Sequence, residues 1–398
     1  MSAAAAKSAS SHQTGPHQSG PHRLTPRQLG YRWPAEWEPL RAVWLAWPHN
    51  SEDWPGKFEG IEWVFSEMIH WLTQTQRVGL VVASSTAREH ATHCLQLYGV
   101  NLERIDWLTA ETDRSWTRDS LPTWLVRDRA IGTDAAGSSS GARSSEPAPP
   151  LAAVKWLFNG WARYDNHARD EAMGWRVAEA RTRQIWAPHQ AGEGSPRFVL
   201  EGGAIDSDGE GTILTTSDCL LGTAFPRNPG LGRAEIERVL GDYLAADKVI
   251  FLPAGVAGDD TSGHIDDVGR FVAPGKVVLA REDNPKDENY APLHAAHEYL
   301  KGERDARGRR LEVIPLPMPS PRLFDGQRLP ASYANFLITN GRVLVPTFND
   351  PKDRVALGLL AELFPDREVV GVHCLDLVLG LGSIHCSTHH EPLVEEVD

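Results

Sequence analysis

A five-bladed α/β propeller built from ββαβ repeats is the architecture this sequence predicts, and three observations predict it. Helical-period segments begin near Arg169, Leu231, Tyr290 and Asp353, about 60 residues apart, and each is followed by a short β-branched run. Those runs cover residues 184–187, 248–253, 311–316 and 368–372. Hairpin signals with a turn glycine lie between copies, over 270–280 about Gly275 and over 335–346 about Asn340 and Gly341. An earlier copy fits the same unit, with a helix over 58–75, a strand over 77–83 and an extra helix over 87–98. A unit of two strands, a helix and a strand cannot bury its own apolar faces. Five of them must pack together, and closing them into a ring removes the open ends. The plainer alternative is an open α/β sheet with irregular insertions.

At 398 residues the chain can hold one large domain or two ordinary ones. Residues 1–25 are Ser, Ala, Gly, His and Pro with scarcely an apolar anchor, and a disordered tail is predicted there. Residues 133–150 have a similar bias and are predicted to be a surface insertion within a single domain spanning 26–398. The net charge is −13, from 53 acidic against 40 basic residues, and no segment gathers Lys and Arg into a stripe. A nucleic-acid partner is therefore not expected, whereas a negative field attracts a small cation. Four cysteines without framework spacing (Cys94, Cys219, Cys374, Cys386) argue for a reducing compartment. No run of about 18 apolar residues appears, so the expectation is a cytoplasmic protein without a membrane partner. A homo-oligomer stays open.

Cys386 stands in GLGSIHCSTHHEP, where Gly380 and Gly382 precede an expected short strand and permit close backbone approach to a ligand. Alone it is an ordinary half-buried thiol, the reading kept for Cys374. His264, in GDDTSGHIDD, leads into a strand expected over 265–272, which would point His264 and Asp266 to one side. Asp119 lies in SWTRDSLPTW, and Glu201 opens EGGAID after an apolar run. Each acid alone is ordinarily a solvated or capping residue. Together they form a thiol, an imidazole and three carboxylates at loop-like positions in successive repeats, which a ring would bring to one axis. A planar guanidinium suits that set: Asp119 and Asp266 accept paired hydrogen bonds, Cys386 attacks the central carbon, and His264 protonates departing ammonia and then activates water. The rival reading makes metal ligands of His373, Cys374, His385, Cys386, His389 and His390, but their spacing matches no structural zinc pattern, and no metal is expected. His90, His93 and Cys94, within one helical turn, read as a solvated face with a core thiol.

From about residue 31 to 392 the chain resembles the agmatine deiminases, of the bacterial-type peptidyl-arginine deiminase family in the guanidine-modifying pentein superfamily. The matching segments are RWPAEWEPL at 32–40, WTRD at 116–119, WLFNGW at 156–161, EGGAI, GDDTSGHID, YANFLITNG and SIHCST. The resemblance implies a five-fold pseudosymmetric propeller. It further implies hydrolysis of agmatine to N-carbamoylputrescine and ammonia through a covalent thiouronium, without metal or organic cofactor. It carries the nucleophile to Cys386, the acid/base role to His264, and the guanidinium-holding roles to Asp119, Glu201 and Asp266. It also puts Asp260 near the substrate's amine end and Trp116 in the pocket wall. Leu121, Ala162, Arg163 and Ser383 depart from the family pattern; the first three are expected to add bulk near the pocket.

A peptidyl-arginine or free-arginine deiminase is the alternative within the superfamily, and it needs Arg or backbone donors at the pocket rim, where an amine needs an acid such as Asp260. A non-catalytic binding or metal-storing protein is the alternative from another class. Five unpaired polar groups kept in a core without use would be costly.

Overall fold

The computed structural model describes residues 24–127 and 148–395. The predicted tail and insertion lie outside the described residues, apart from their inner ends at 24–25 and 148–150.

One order of elements recurs in five sheets. In the second unit, strands Thr123–Val126 and Leu151–Val154 pair antiparallel, helix Ala168–Arg181 crosses over, and Ile185–Trp186 returns parallel to the middle strand. The third unit repeats this with Ile205–Ser207, Thr212–Thr216, helix Arg233–Leu244 and Lys248–Leu252. The fourth uses Gly269–Ala273, Lys276–Arg281, helix Tyr290–Lys301 and Glu312–Pro317. The fifth uses Leu337–Ile338, Arg342–Thr347, helix Asp353–Leu363 and Glu368–His373. The remaining unit joins the chain's two ends: His389–Pro392 pairs antiparallel with Leu40–Ala46, helix Phe58–Leu72 follows, and Arg77–Val82 returns parallel. Helix Ser85–Leu97 and strand Ile105–Thr109 extend that sheet by one strand. The expected repeats and the extra helix therefore fall where the hydrophobic period put them.

The helices form because parallel strands need a crossover, and an amphipathic helix covers the sheet it crosses. In Phe58–Leu72 the residues Ile61, Val64, Phe65, Met68, Ile69 and Leu72 recur at three- and four-residue spacings and are all buried. The largest apolar cluster ties the first sheet to the fifth, with Leu45, Phe65 and Leu80 in one body with Phe336, Leu344 and Val372. Cys374 is buried in that cluster, as its context suggests. Gly275 and Gly341 make the predicted hairpin turns at φ 74° and 85°, a region glycine enters without steric cost.

Two local expectations fail. The strand expected over 265–272 is a 3₁₀ turn at Ile265–Asp267 followed by a strand only from Gly269. The Asp259 carboxylate accepts from the backbone N–H of Gly263 and of His264 and holds the chain in a loop at that point. His264 and Asp266 thus come together through a turn rather than a shared strand face. Cys386 likewise stands in a turn, with Ser387 N–H bonded to the carbonyl of Ser383, and the strand begins only at His389. Among the described residues no helix is long and apolar enough to cross a membrane.

Candidate active site

Cys386 is buried, and its turn is organised by one side chain from the fifth unit. Asn335 Nδ2 donates to Cys386 Sγ at 3.0 Å and to Asp267 Oδ1 at 3.0 Å. Its Oδ1 accepts from Ser383 Oγ at 2.8 Å and from the backbone N–H of His385 at 2.9 Å. Every hydrogen-bonding atom of the amide is engaged, so the sulfur has a fixed donor. Ser383, one of the departures from the family pattern, is accommodated as that donor to Asn335. The glycines before the turn make room for tryptophan: a Cβ on Gly380 would lie 2.9 Å from Trp116, and one on Gly382 would lie 2.9 Å from Trp116 and 3.0 Å from the Cys386 Cβ.

The carboxylates and the imidazole converge on this sulfur from other units. Asp266 Oδ2 lies 3.6 Å from Cys386 Sγ. The position a Cβ would take on Gly203 lies 2.5 Å from His264 Nδ1, 3.0 Å from Asp119 Oδ1 and 3.1 Å from Asp266 Oδ2, so three of the predicted groups surround one point. Asp119 is held by Trp161 Nε1 on Oδ2 and by the Gly203 N–H on Oδ1, both at 2.9 Å. Trp161 supplies that indole from φ 58°, a conformation a bulky residue rarely adopts. Glu201 is paired through Oε1 with Arg227 Nε at 2.9 Å, and both side chains are wholly buried. His264 lies between acids, with Nδ1 3.8 Å from Asp119 Oδ1 and Nε2 3.9 Å from Glu201 Oε2. Neither ring nitrogen has a hydrogen-bond partner among the described residues, and the second oxygens of Glu201 and Asp266 are equally unengaged.

Burial sets the charge states. It pushes Asp119 up to about 6, with repulsion from Asp266 and Glu201 added and attraction from His264 opposed. Burial alone would favour neutral His264, but Asp119 and the partners on its other side raise it well above the usual histidine range. For Asp266, burial is outweighed by the hydrogen bond and charge of His385, which keep it ionised. Burial and the charges of Asp266, Asp267 and Asp119 push the Cys386 thiol well above its ordinary value. A protonated imidazole, ionised carboxylates and a neutral thiol suit attack on a positively charged carbon.

A cavity of about 470 Å³ opens above Cys386 and Asp119, walled by Trp116, Trp161, Tyr164 and Leu329. His264, Glu201 and Asp266 are buried beside these residues. At the far end Tyr164 O–H donates to Asp260 Oδ2 at 2.5 Å, and Arg114, stacked 4.5 Å over Tyr164, is held by Asp53. The expected crowding by Leu121 and Arg163 does not occur: Leu121 packs into a core cluster with Trp44 and Trp124, and Arg163 lies 4.0 Å over the Phe225 ring. Ala162 acts through the backbone instead, at φ 56° where glycine would be unstrained.

The C-terminal histidines and cysteines do not gather as one ligand set. His385 bonds to Asp266 and Glu36, His389 to the carbonyls of Arg118 and Pro122, and His390 to the carbonyl of Ile338, while Cys386 meets Asn335. Four groups among the described residues are close enough to hold an ion: Glu36, His385 and His390, two of them from that rival set; Glu62, His90 and Cys94; Glu201, Cys219 and His264; and Asp266, Asp267 and Cys386. Sequence reasoning missed Asn335, Gly203 and Trp161 as members of the site. All three stand in segments that matched the family, yet an amide, a glycine and an indole have no chemistry that marks them singly.

A family model for the Porphyromonas-type peptidyl-arginine deiminases matches residues 32–392. The agmatine deiminase of Pseudomonas aeruginosa (strain LESB58) is 36% identical over 389 residues, covering 92% of this chain and 96% of that one. That of Pseudomonas putida matches to the same extent. The solved agmatine deiminase of Enterococcus faecalis superposes with a TM-score of 0.80 at 30% identity, covering 93% of this chain and 98% of its own. A C. jejuni agmatine deiminase with a cysteine-to-serine substitution and substrate bound gives 0.74 at 25% identity, covering 91% and 96%. With the match running through nearly every described element, the chain belongs to the Porphyromonas-type peptidyl-arginine deiminase family.

Proposed function

We propose that the chain is a cysteine-dependent deiminase that hydrolyses agmatine to N-carbamoylputrescine and ammonia. The observation that carries this reading is the grouping of His264 Nδ1, Asp119 Oδ1 and Asp266 Oδ2 about one point, with Cys386 Sγ 3.6 Å from the last of them. In this reading Asp119 and Asp266 clamp the guanidinium, and its charge offsets the acids that hold the thiol neutral. The thiol gives up its proton to solvent as the cation binds, and the thiolate adds to the guanidinium carbon. The tetrahedral adduct expels ammonia as His264 gives its proton to the leaving nitrogen. An S-alkylthiouronium remains, on the same carbon. Neutral His264 then takes a proton from water, the hydroxide adds to that carbon, and the C–S bond breaks as the hydroxyl proton passes to sulfur, leaving the neutral ureido product and the Cys386 thiol. Glu201, beside His264 and neutralised on its other oxygen by Arg227, favours the charged imidazole.

An amine-bearing tail is favoured over a carboxylate because Asp260, Glu52 and Asp325 all line the cavity. Among the described residues that line the cavity, Arg114 is the arginine suited to a substrate carboxylate, and Asp53 already occupies it. Cys386→Ser is expected to abolish ammonia release from agmatine in a folded protein, and turnover equal to wild type would reject the nucleophile. A panel of agmatine, arginine and arginine peptides decides between the two substrate classes.

We also infer that the five ββαβ units close into a five-bladed ring forming a single domain. Pairing of His389–Pro392 with Leu40–Ala46 supports this, because it fastens the last unit to the first. The four free cysteines suit a reducing compartment such as the cytoplasm.

A further inference from the structure

Asp266 is braced from behind by a line of buried groups that the reaction as written does not use. His385, 1% exposed, has Nδ1 2.7 Å from Asp266 Oδ2 and Nε2 2.8 Å from Glu36 Oε1. Glu36 also takes Arg118 Nη1 at 2.9 Å and Arg270, and His390 Nδ1 lies 3.2 Å from it. The opposite oxygen of Asp266, Oδ1, is buried without a partner among the described residues. His385 therefore holds the same oxygen, Oδ2, that lies 3.6 Å from Cys386 Sγ.

We propose that His385, braced by Glu36, is a positioning residue for deimination: it holds Oδ2 of Asp266, the oxygen that faces Cys386, and so fixes the plane in which the carboxylate meets the guanidinium. The assignment rests on the reading of Asp266 as a guanidinium clamp. Both imidazole nitrogens face carboxylate oxygens at hydrogen-bonding distance, which fixes the ring between them. Burial and the Arg118 and Arg270 guanidinium groups push His385 down to about 4, while Arg270, His385, His390 and Arg118 hold Glu36 well below its usual range against burial. A neutral ring has one proton to give, and in this reading it lies on Nδ1, toward Asp266. The charged and titratable groups that face Asp266 include His385, His264, Arg270, Arg118, Cys386, Asp267 and Asp119. Of these, His385 makes the 2.7 Å hydrogen bond and supplies its orientation. Glu36 belongs to the RWPAEWEPL segment near the chain's start, so the line fastens that segment to the clamp.

Two amides separate the ends of the imidazole. Asn at 385 keeps a donor near the Nδ1 position and loses Glu36, whereas Gln keeps an amide near Nε2 and loses Asp266. Agmatine affinity is measured by calorimetry in the Cys386→Ser background, and the pH profile of kcat/KM in the parent. His385→Asn is expected to bind within about 5-fold of its parent, and His385→Gln and His385→Leu to lose roughly 10- to 100-fold, the worth of one charge-assisted hydrogen bond. The acid limb of kcat/KM should move upward in the Gln and Leu variants and stay in the Asn variant, because only the Asn variant still favours ionised Asp266. Equal losses for Asn and Gln, or all three within 3-fold of the parent, overturn the proposal. If His385→Leu does not fold, as judged by its thermal melt, the Asn and Gln pair decides alone. A wild-type protein that releases no ammonia sinks the deiminase reading but leaves the binding comparison valid. Failure of Cys386→Ser to bind agmatine at all sinks both.

Discussion

Adding one methyl group at Gly203 tests the geometry of the site more directly than removing any of its charges. Gly203 is in a short 3₁₀ turn and not in the left-handed region, so Gly203→Ala brings no backbone strain of that kind and its effect is the methyl alone. That methyl would stand 2.5 Å from His264 Nδ1, where an ordinary contact is about 3.5 Å or more, so the imidazole must retreat by about 1 Å. Asp119 Oδ1 and Asp266 Oδ2, at 3.0 and 3.1 Å, must give by a few tenths of an ångström. A misplacement of about 1 Å at reacting groups costs about 10²-fold in rate, and overpacking a dense site costs about 1–3 kcal/mol in stability. We expect kcat/KM for agmatine to fall about 100-fold, with a modest fall in Tm. The assay is ammonia release over a range of substrate, paired with a thermal melt. A Gly203→Ala protein with kcat/KM within 3-fold of wild type would refute the claim that the clamp and the imidazole meet at this point.

Three other outcomes follow from the same contacts. Asp119, raised to about 6, must be ionised to hold a cation, so kcat/KM should fall about tenfold per pH unit below pH 6; a profile flat to pH 5 would remove Asp119 from the clamp. The same shift acts oppositely on stability: its contribution is full below the ordinary 3.8 and is lost as pH rises through 6. Asn335→Asp keeps the oxygen that accepts from Ser383 and the turn but sets a carboxylate oxygen 3.0 Å from sulfur, and kcat should drop at least about 100-fold; a drop under 5-fold would show that the donor to Cys386 is dispensable. Free enzyme should react slowly with iodoacetamide at pH 7.5, because the Cys386 thiol is held well above its ordinary value, and a rate at Cys386 matching that of a free low-pKa thiol would contradict the charge argument.

Much of the fold was legible because hydrophobic period reports which faces are buried. The helices at Arg233–Leu244 and Tyr290–Lys301 and their returning strands needed little else. The loop before His264 was not legible, since its shape depends on the Asp259 side chain accepting from N–H groups four and five residues on, and a period-two pattern cannot register that. The reacting groups were legible because their chemistry is rare, and thiol, imidazole and acids are conspicuous. Asn335 and Gly203 were not, because one acts by filling all its hydrogen bonds and the other by lacking a side chain. Arg163 shows the opposite error: a bulky cation beside a pocket motif suggested crowding, but a neighbouring aromatic ring gave it another direction.

The arrangement of charge explains how one site can both seize and release. Asp119, Glu201 and Asp266 surround a thiol that stays protonated, and Arg227 is spent on Glu201. An incoming guanidinium brings the missing positive charge, so the nucleophile gains its thiolate character only with the carbon it attacks in place. An uncharged analogue of the same shape leaves the thiol as it was, which makes charge a condition of reaction and not only of binding. The product's ureido group is neutral, so hydrolysis removes the cation on which the clamp depends. The acids that drew the substrate in then have no charge to hold, and the thiol returns to its protonated state as the product leaves.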